Sequence, residues 1–299
     1  GRSPMTEVDL EDISARLVSR FGAGAGGWLA GVPALAERLA SRWDFELGEL
    51  FESGASSVVL HCRWSDGTPA VLKLSPDGAL LTKQLEMLRV FAPSGRVPAV
   101  LAADADAGAM VLEEIQPGTP ADDLPLPTLP GRWGDLLTAL HSVAPPADWP
   151  WSLRGRFEES FDRIGKRITE PAISARIGPD TWQRAIERCE KLLDTQTGVV
   201  LLHGDLHLGN ALDGGSRGLI AIDPKACVGD PCFDAVDYVV SGAGHEGVET
   251  RCRSVADACG LDGDRLYAWS RVVAPMFAIS HLTYGGQDQA LDELLALIS

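Results

Sequence analysis

The stretch His203-Gly204-Asp205-Leu206-His207-Leu208-Gly209-Asn210, followed eighteen positions after Asp205 by Asp223 in Ala221-Ile222-Asp223-Pro224, decides the fold. Each cluster follows a short apolar run, Val199 to Leu202 and Leu219 to Ile222, compatible with a buried strand that holds polar side chains at its end. A carboxylate beside an acceptor hydroxyl, with an Asn and an Asp able to bind Mg²⁺, forms the catalytic half of a kinase-type site. Asp205 is the expected base, because it must lie beside the hydroxyl whose proton it takes. Asn210 and Asp223 offer the hard oxygen donors that Mg²⁺ on ATP phosphates requires. His203 is expected to order the loop rather than to carry protons. Asp230, in Gly229-Asp230-Pro231, is expected to fix the same loop, and His207, Asp234 and Asp237 are candidates to face the acceptor, with a structural role the other reading for the two aspartates.

Working outward, the nucleotide half is sought upstream. Ala70-Val71-Leu72-Lys73-Leu74 sets a lysine in an apolar strand, where an ammonium is costly without an anionic partner, and a phosphate is such a partner. The turn Ser53 to Ser57 precedes it and offers backbone N–H groups with the hydroxyls of Ser56 and Ser57. A glutamate on the next helix normally holds a kinase lysine. Glu86 is the expected partner, with Gln84 as the competing position. Glu113 to Ile115 follows a strand, so the backbone groups of Glu113 and Ile115 are expected at the adenine edge.

The periodicities predict helices over Val8–Arg20 and Pro33–Trp43, joined by a flexible connection at Gly22–Gly27. Strands follow at Phe45–Phe51, Val58–Cys62, Ala70–Leu74, Val97–Ala102 and Met110–Leu112, with a helix over Leu80–Phe91. Pro117, Pro120, Pro125, Pro127 and Pro130 then break regular structure and mark a boundary. Beyond it Leu129–Val143, Phe157–Thr169 and Asp180–Leu193 read as helices, and a mainly helical tail ends the chain. The expected organisation is α+β: a β-rich N-terminal lobe over 5–113 and a larger, mainly helical C-terminal lobe over 114–299.

The 299 residues carry 42 acidic and 26 basic side chains, a net charge of −16. This excess argues against nucleic-acid partners; its field attracts cations, so a cationic small-molecule acceptor is expected, beside the reading that the acidity serves solubility alone. No apolar run approaches membrane-spanning length, and no secretory segment is evident, so a cytoplasmic monomer or homodimer is expected. Six scattered cysteines without a C-x-x-C pair read as reduced thiols. Gly1–Pro4 precede Met5 and read as a vector-derived remnant outside the fold.

Taken together, H-G-D-L-H-L-G-N, A-I-D-P-K and G-D-P-C-F-D resemble the aminoglycoside phosphotransferase family, in its streptomycin 6-kinase and hydroxyurea phosphotransferase branch. Trp28 to Leu39 and Asp66 to Leu74 extend the resemblance to nearly the whole chain. It implies a bilobal, protein-kinase-like fold and ATP-dependent phosphorylation of a small-molecule hydroxyl. Lys73, Asp205, Asn210 and Asp223 would then hold the phosphate, base and metal roles. Met276 to Gly286 lacks the tryptophan that the resemblance implies in a region expected to shape the acceptor pocket. Guanidinium groups of a streptomycin-like acceptor would need carboxylates, with Asp234, Asp237, Glu246 and Asp288 as candidates.

Three rival readings are weaker. A protein kinase needs A-P-E after the second acid, and none follows Asp223. A metallohydrolase would use His203, Asp205 and His207 as ligands, but His61, His141, His245 and His281 supply no second cluster and Lys73 would have no role. A non-catalytic nucleotide-binding module would not need the base together with both metal-binding side chains. Amino sugars and nucleoside antibiotics remain alternative acceptors.

Overall fold

The computed structural model describes residues 7–51, 57–285 and 288–299, with side chains from residue 13 onward in the first of these segments. The chain divides into two compact units, one formed by 1–92 and 97–116, the other by 93–96 and 117–299.

The first unit begins with α1 (Glu7–Phe21), α2 (Gly24–Ala30) and α3 (Val32–Trp43), then β1 (Glu46–Leu50), β2 (Val58–Arg63), β3 (Pro69–Leu74), α4 (Gly78–Phe91), β4 (Val100–Asp104) and β5 (Ala109–Glu113). The strands form one antiparallel sheet in the order β1-β2-β3-β5-β4. Alternation along β2 and β3 sends Val58, Leu60 and Cys62, and Ala70, Leu72 and Leu74, to a single face. There they pack with Ile13, Leu17, Leu29, Val32, Ala36 and Leu39 of the three leading helices. Each such buried leucine contributes about 1.5–3 kcal/mol of transfer free energy, which fixes the register of β3. Lys73, opposite Val59 and Met110, therefore points to the other face of the sheet.

The connection expected to be flexible at Gly22–Gly27 is corrected by the structure, which forms the short helix α2 from Gly24 to Ala30. Ala25 and Leu29, one turn apart, are both buried, and this packing offsets the poor helix propensity of three glycines. In α4, Asp77 caps the N-terminus by accepting from the Leu80 amide at 3.1 Å.

The second unit contains α5 (Leu129–His141), α6 (Leu153–Gly165), α7 (Pro171–Ser174), α8 (Pro179–Asp194), β6 (Val200–Leu202), β7 (Ala211–Asp213), β8 (Leu219–Ala221), β9 (Cys227–Gly229), α9 (Phe233–Val240), α10 (Val248–Cys259), α11 (Gly263–Tyr284) and α12 (Asp288–Ile298). Two antiparallel ribbons, β6 with β9 and β7 with β8, stand among the helices. The proline-rich segment holds 3₁₀ turns at Ala121–Asp123 and Leu126–Thr128, Pro130 instead takes the first turn of α5, and amides of Gly118 and Asp213 stitch the segment to β7. The core holds Trp133 and Trp269, both fully buried. Trp133 packs against Tyr238 of α9 with ring centroids 5.0 Å apart. All six cysteines are unpaired. No helix among the described residues is long and apolar enough to cross a membrane.

Candidate active site

The two ribbons deliver two loops, residues 203–210 after β6 and 222–226 between β8 and β9. The loops are joined residue by residue. The Lys225 amide donates to the His203 carbonyl and the Ile222 amide to the Asn210 carbonyl, both at 2.8 Å. His203 is fully buried, and its Nδ1 accepts from the Asp205 amide at 3.2 Å. That leaves Nε2 to carry the hydrogen and donate to the Ile222 carbonyl at 2.8 Å. Burial holds the imidazole below the ordinary histidine range, against the pull of Asp234, so the ring is neutral. With both ring nitrogens engaged, His203 has no lone pair for a metal, which removes the alternating ligand set of the metallohydrolase reading.

Gly204 has φ +88, a left-handed conformation that L side chains rarely adopt. Its carbonyl accepts from Arg156 Nη2 at 2.8 Å, while Arg156 Nη1 donates to the Lys225 carbonyl at 2.7 Å. One guanidinium on α6 thus spans both loops. Asp234, in the first turn of α9, accepts from the amides of His203 (2.8 Å) and Gly204 (3.0 Å) and bonds His141 Nε2 at 2.8 Å. Burial pushes the Asp234 carboxyl up, but the hydrogen bond and charge of His141 outweigh it and hold the group below the usual carboxylate range. Asp234 as an acceptor-facing residue is therefore corrected: it is fully buried, and both its oxygens are used on the loop 203–210 and His141. His141, which looks isolated in the sequence, belongs to this network.

These constraints leave the Asp205 carboxylate partly exposed at the loop surface. Asn210 Nδ2 donates to the Asp205 carbonyl at 2.9 Å and lies 3.5 Å from Oδ2. The amide oxygen of Asn210 is thereby directed away from Asp205 as a hard donor. Asp223 is exposed, with φ 52, a left-handed conformation that Asp tolerates better than most residues. An amide oxygen and a carboxylate fit Mg²⁺, which takes few protein ligands and completes its shell with phosphate and water. Lys225 Nζ stands 3.7 Å from Asp205 Oδ2.

Asp230 lies deeper. Its Oδ1 accepts from the Cys232 amide at 3.0 Å, and its Oδ2 accepts from Trp269 Nε1 at 3.0 Å and pairs with Arg265. Burial raises its carboxyl, and these donors together with the guanidinium bring it below the ordinary range. Sequence reasoning missed Arg156, His141, Arg265 and Trp269. Each is an ordinary helix residue whose partner lies far away along the chain.

His207 caps a 3₁₀ turn, with Nδ1 accepting from the Gly209 amide at 3.1 Å. Asp237 shares a face of α9 with Asp234, one turn on, and its carboxyl is pushed up to about 7 by burial first and then by the Asp205 and Asp122 charges. Val240 and Ser241, the next turn of that face, line a cavity of about 330 Å³ completed by Ala243, His245, Phe277, His281 and Ala290. His281 Nδ1 is buried there without a hydrogen-bond partner. Glu246 pairs with Arg251, which also donates to Ser241 Oγ at 3.0 Å and braces the cavity wall. Asp288 opens α12 and is exposed.

In the first unit, Glu113 ends β5 with its amide donated to the Ala99 carbonyl and its Oε1 accepting from the Ala99 amide, both at 3.0 Å. Ile115 is buried, as is Ser57 just before β2, and Ser56 lies outside the described residues. The expectation for Glu86 is corrected. It is exposed on the outer face of α4, whereas Gln84 turns inward, with Oε1 buried and without a hydrogen-bond partner. The cause is the helical period, which puts Gln84 between Leu81 and Leu88 on the buried face.

The model of the phosphotransferase enzyme family matches residues 48–269. A streptomycin 6-kinase from Streptomyces griseus is 30% identical over 284 residues, covering 90% of this chain and 89% of that protein. A hydroxyurea phosphotransferase from Kitasatospora aureofaciens is 28% identical over 277 residues, covering 89% and 77% respectively. Among solved structures, a choline kinase from Streptococcus pneumoniae matches with a TM-score of 0.64 at 15% identity, over 89% of this chain and 97% of that one. At that identity the likeness speaks for the fold, which is kinase-like.

Proposed function

Because the chain belongs to the phosphotransferase enzyme family, alongside streptomycin 6-kinases and hydroxyurea phosphotransferases, we propose that it uses Mg-ATP to phosphorylate a hydroxyl of a streptomycin-like antibiotic, with hydroxyurea the second acceptor to test. The observation that carries this reading is how the polar groups around Asp205 are used. His203, Arg156 and Asp234 bond the backbone of the loop and its partner, and the base carboxylate is left at the surface.

In this reading the acceptor hydroxyl hydrogen-bonds Asp205. As its oxygen bonds to the γ-phosphorus, the bond from phosphorus to ADP breaks and the hydroxyl proton passes to Asp205. Asn210 and Asp223 would hold Mg²⁺, which would supply neutralisation of phosphate charge. Lys73 contacts phosphate, Ser57 offers its hydroxyl there, and the backbone of Glu113 and Ile115 meets the adenine. Asp237 and the cavity beyond it bind the acceptor, Asp237 meeting a cationic group beside the reacting hydroxyl. The acidic balance of the chain supports a cationic acceptor, and a cytoplasmic setting suits the use of ATP.

The test is an ADP-release assay over streptomycin, other aminoglycosides, hydroxyurea, amino sugars and nucleoside antibiotics, with product mass measured. One phosphoryl group gained by streptomycin or hydroxyurea is expected. ADP release with no phosphorylated product in the whole panel sinks the proposal.

Asp237→Asn tests the acceptor role and carries a pH signature. The folded carboxyl titrates at about 7, above the ordinary value near 4, so the folded state holds its proton more tightly than the unfolded chain. That stability is present at low pH and is lost as pH rises through 7. Asn carries no charge to desolvate, so the variant is expected to melt a few degrees above wild type at pH 8.5 and close to it at pH 5. The acceptor KM is expected to rise about 10-fold while the ATP KM stays within twofold. Equal melting differences at both pH values, or a rise in the ATP KM alone, count against the assignment.

A further inference from the structure

We propose that Lys225 is a catalytic residue whose ammonium neutralises the phosphoryl group in transfer. The inference rests on the reading of Asp205 as the base and assigns a role to a side chain that this reading leaves idle.

The main chain of Lys225 is held more firmly than its side chain would need for a surface role. Its amide donates to the His203 carbonyl, its carbonyl accepts from Arg156, and the next carbonyl, of Ala226, accepts from Trp149 Nε1 at 2.9 Å. Pro224, buried just before it, removes another degree of freedom. Out of this fixed frame the side chain emerges 65% exposed and ends 3.7 Å from an Asp205 carboxylate that is itself 36% exposed. Ion pairs this open to water contribute little to stability, about 0–1 kcal/mol, so folding does not account for the placement of this ammonium beside the Asp205 carboxylate.

Phosphoryl transfer does account for it. An acceptor hydroxyl bonded to Asp205 must lie about 2.6–3.2 Å from that carboxylate, and the phosphorus approaches the same oxygen from its far side. An ammonium 3.7 Å from Oδ2 is then within reach of the equatorial phosphoryl oxygens, over which the transition-state charge is spread. Asn210 Nδ2 lies 3.5 Å from the same Oδ2, so Lys225 and Asn210 both stand at the carboxylate to which the acceptor hydroxyl would bond. A fixed positive charge aimed at developing negative charge lowers the barrier without reorganisation. Lys225 keeps its proton throughout. The acceptor proton goes to Asp205, the new O–P bond forms, and the electron pair of the broken bond leaves with ADP.

The experiment compares Lys225→Met and Lys225→Arg with wild type, and runs Asp205→Ala beside them. The acceptors are streptomycin, hydroxyurea and water, the last read as slow ADP release without added acceptor. Lys225→Met is expected to lower kcat about 100-fold with both KM values within threefold, and Lys225→Arg to recover at least about a tenth of wild-type kcat. Mg-ATP binding by calorimetry and the melting temperature stay at wild-type values. Should Lys225→Met melt early, Lys225→Gln serves in the same comparison. A kcat within threefold of wild type in the neutral variant overturns the inference, as does a loss confined to the acceptor KM. Undiminished turnover in Asp205→Ala overturns the base assignment instead, so the two failures are told apart.

Discussion

Asp205→Ala is expected to lower kcat by about 10²- to 10⁴-fold, the span general-base removal typically costs, while leaving Mg-ATP binding within about twofold of wild type. The substitution is informative because so little else depends on this side chain. The Asp205 amide bonds His203 Nδ1 and its carbonyl accepts from Asn210, and both bonds belong to the backbone, which the variant retains. Lys225 loses an exposed ion-pair partner, a change of about 0–1 kcal/mol. Loop geometry, metal donors and melting temperature should therefore survive, so lost turnover reports lost chemistry. Steady-state kinetics on the acceptor identified by the panel, with calorimetric Mg-ATP titration, decides it. Turnover within tenfold of wild type would mean that another group takes the proton.

Gly204→Ala should be almost as damaging for a different reason. A Cβ at this position would stand 2.1 Å from the Lys225 carbonyl oxygen and 2.9 Å from Arg156 Nη1, on a backbone at φ +88. The obstacle is main chain that cannot swing aside. Relief requires separating the two loops, which breaks the Arg156 bridge and the bond from the Lys225 amide to the His203 carbonyl. The expected cost is about 2–4 kcal/mol in urea unfolding, from strain and lost buried hydrogen bonds. A fall of at least about 100-fold in kcat accompanies it, because displacement of the base by about 1 Å is enough. A variant with wild-type stability and kcat would show that the loops are not held this tightly.

The sequence carries much of this, unevenly. Strands β2 and β3 and helix α4 follow from alternation and helical spacing, because their buried faces are built from consecutive apolar choices at Val58, Leu60, Leu72, Leu74, Leu81 and Leu85. The loop 203–210 with Asp223 is legible because one short segment holds most of its chemistry. Helix α2 is hidden by its glycines, since only packing against the first core makes a helix of Gly24–Ala30. The supports are hidden by distance. Arg156 is 48 residues from Gly204 and 69 from Lys225, and His141 is 93 from Asp234. No local pattern marks a residue whose partner is that remote. Asp234 and Asp237 are alike in sequence, and only their surroundings separate the acid tied to His203, Gly204 and His141 from the one near the Asp205 charge. Gln84 and Glu86 differ likewise by a rotation about the axis of α4.

Helix α9 also works as a ruler. Asp234 at its start is tied to the amides of His203 and Gly204, Asp237 sits one turn along, and Val240 and Ser241 meet the cavity a turn later. A rise of about 1.5 Å per residue puts roughly 10 Å between the tied end and the cavity wall. Under the acceptor role proposed for this cavity, a bound molecule would have its reactive hydroxyl chosen by length, measured along a rigid rod. On that proposal, changes in acceptor preference would collect at the far end of the rod, where side chains can change without moving the origin from which distance is counted.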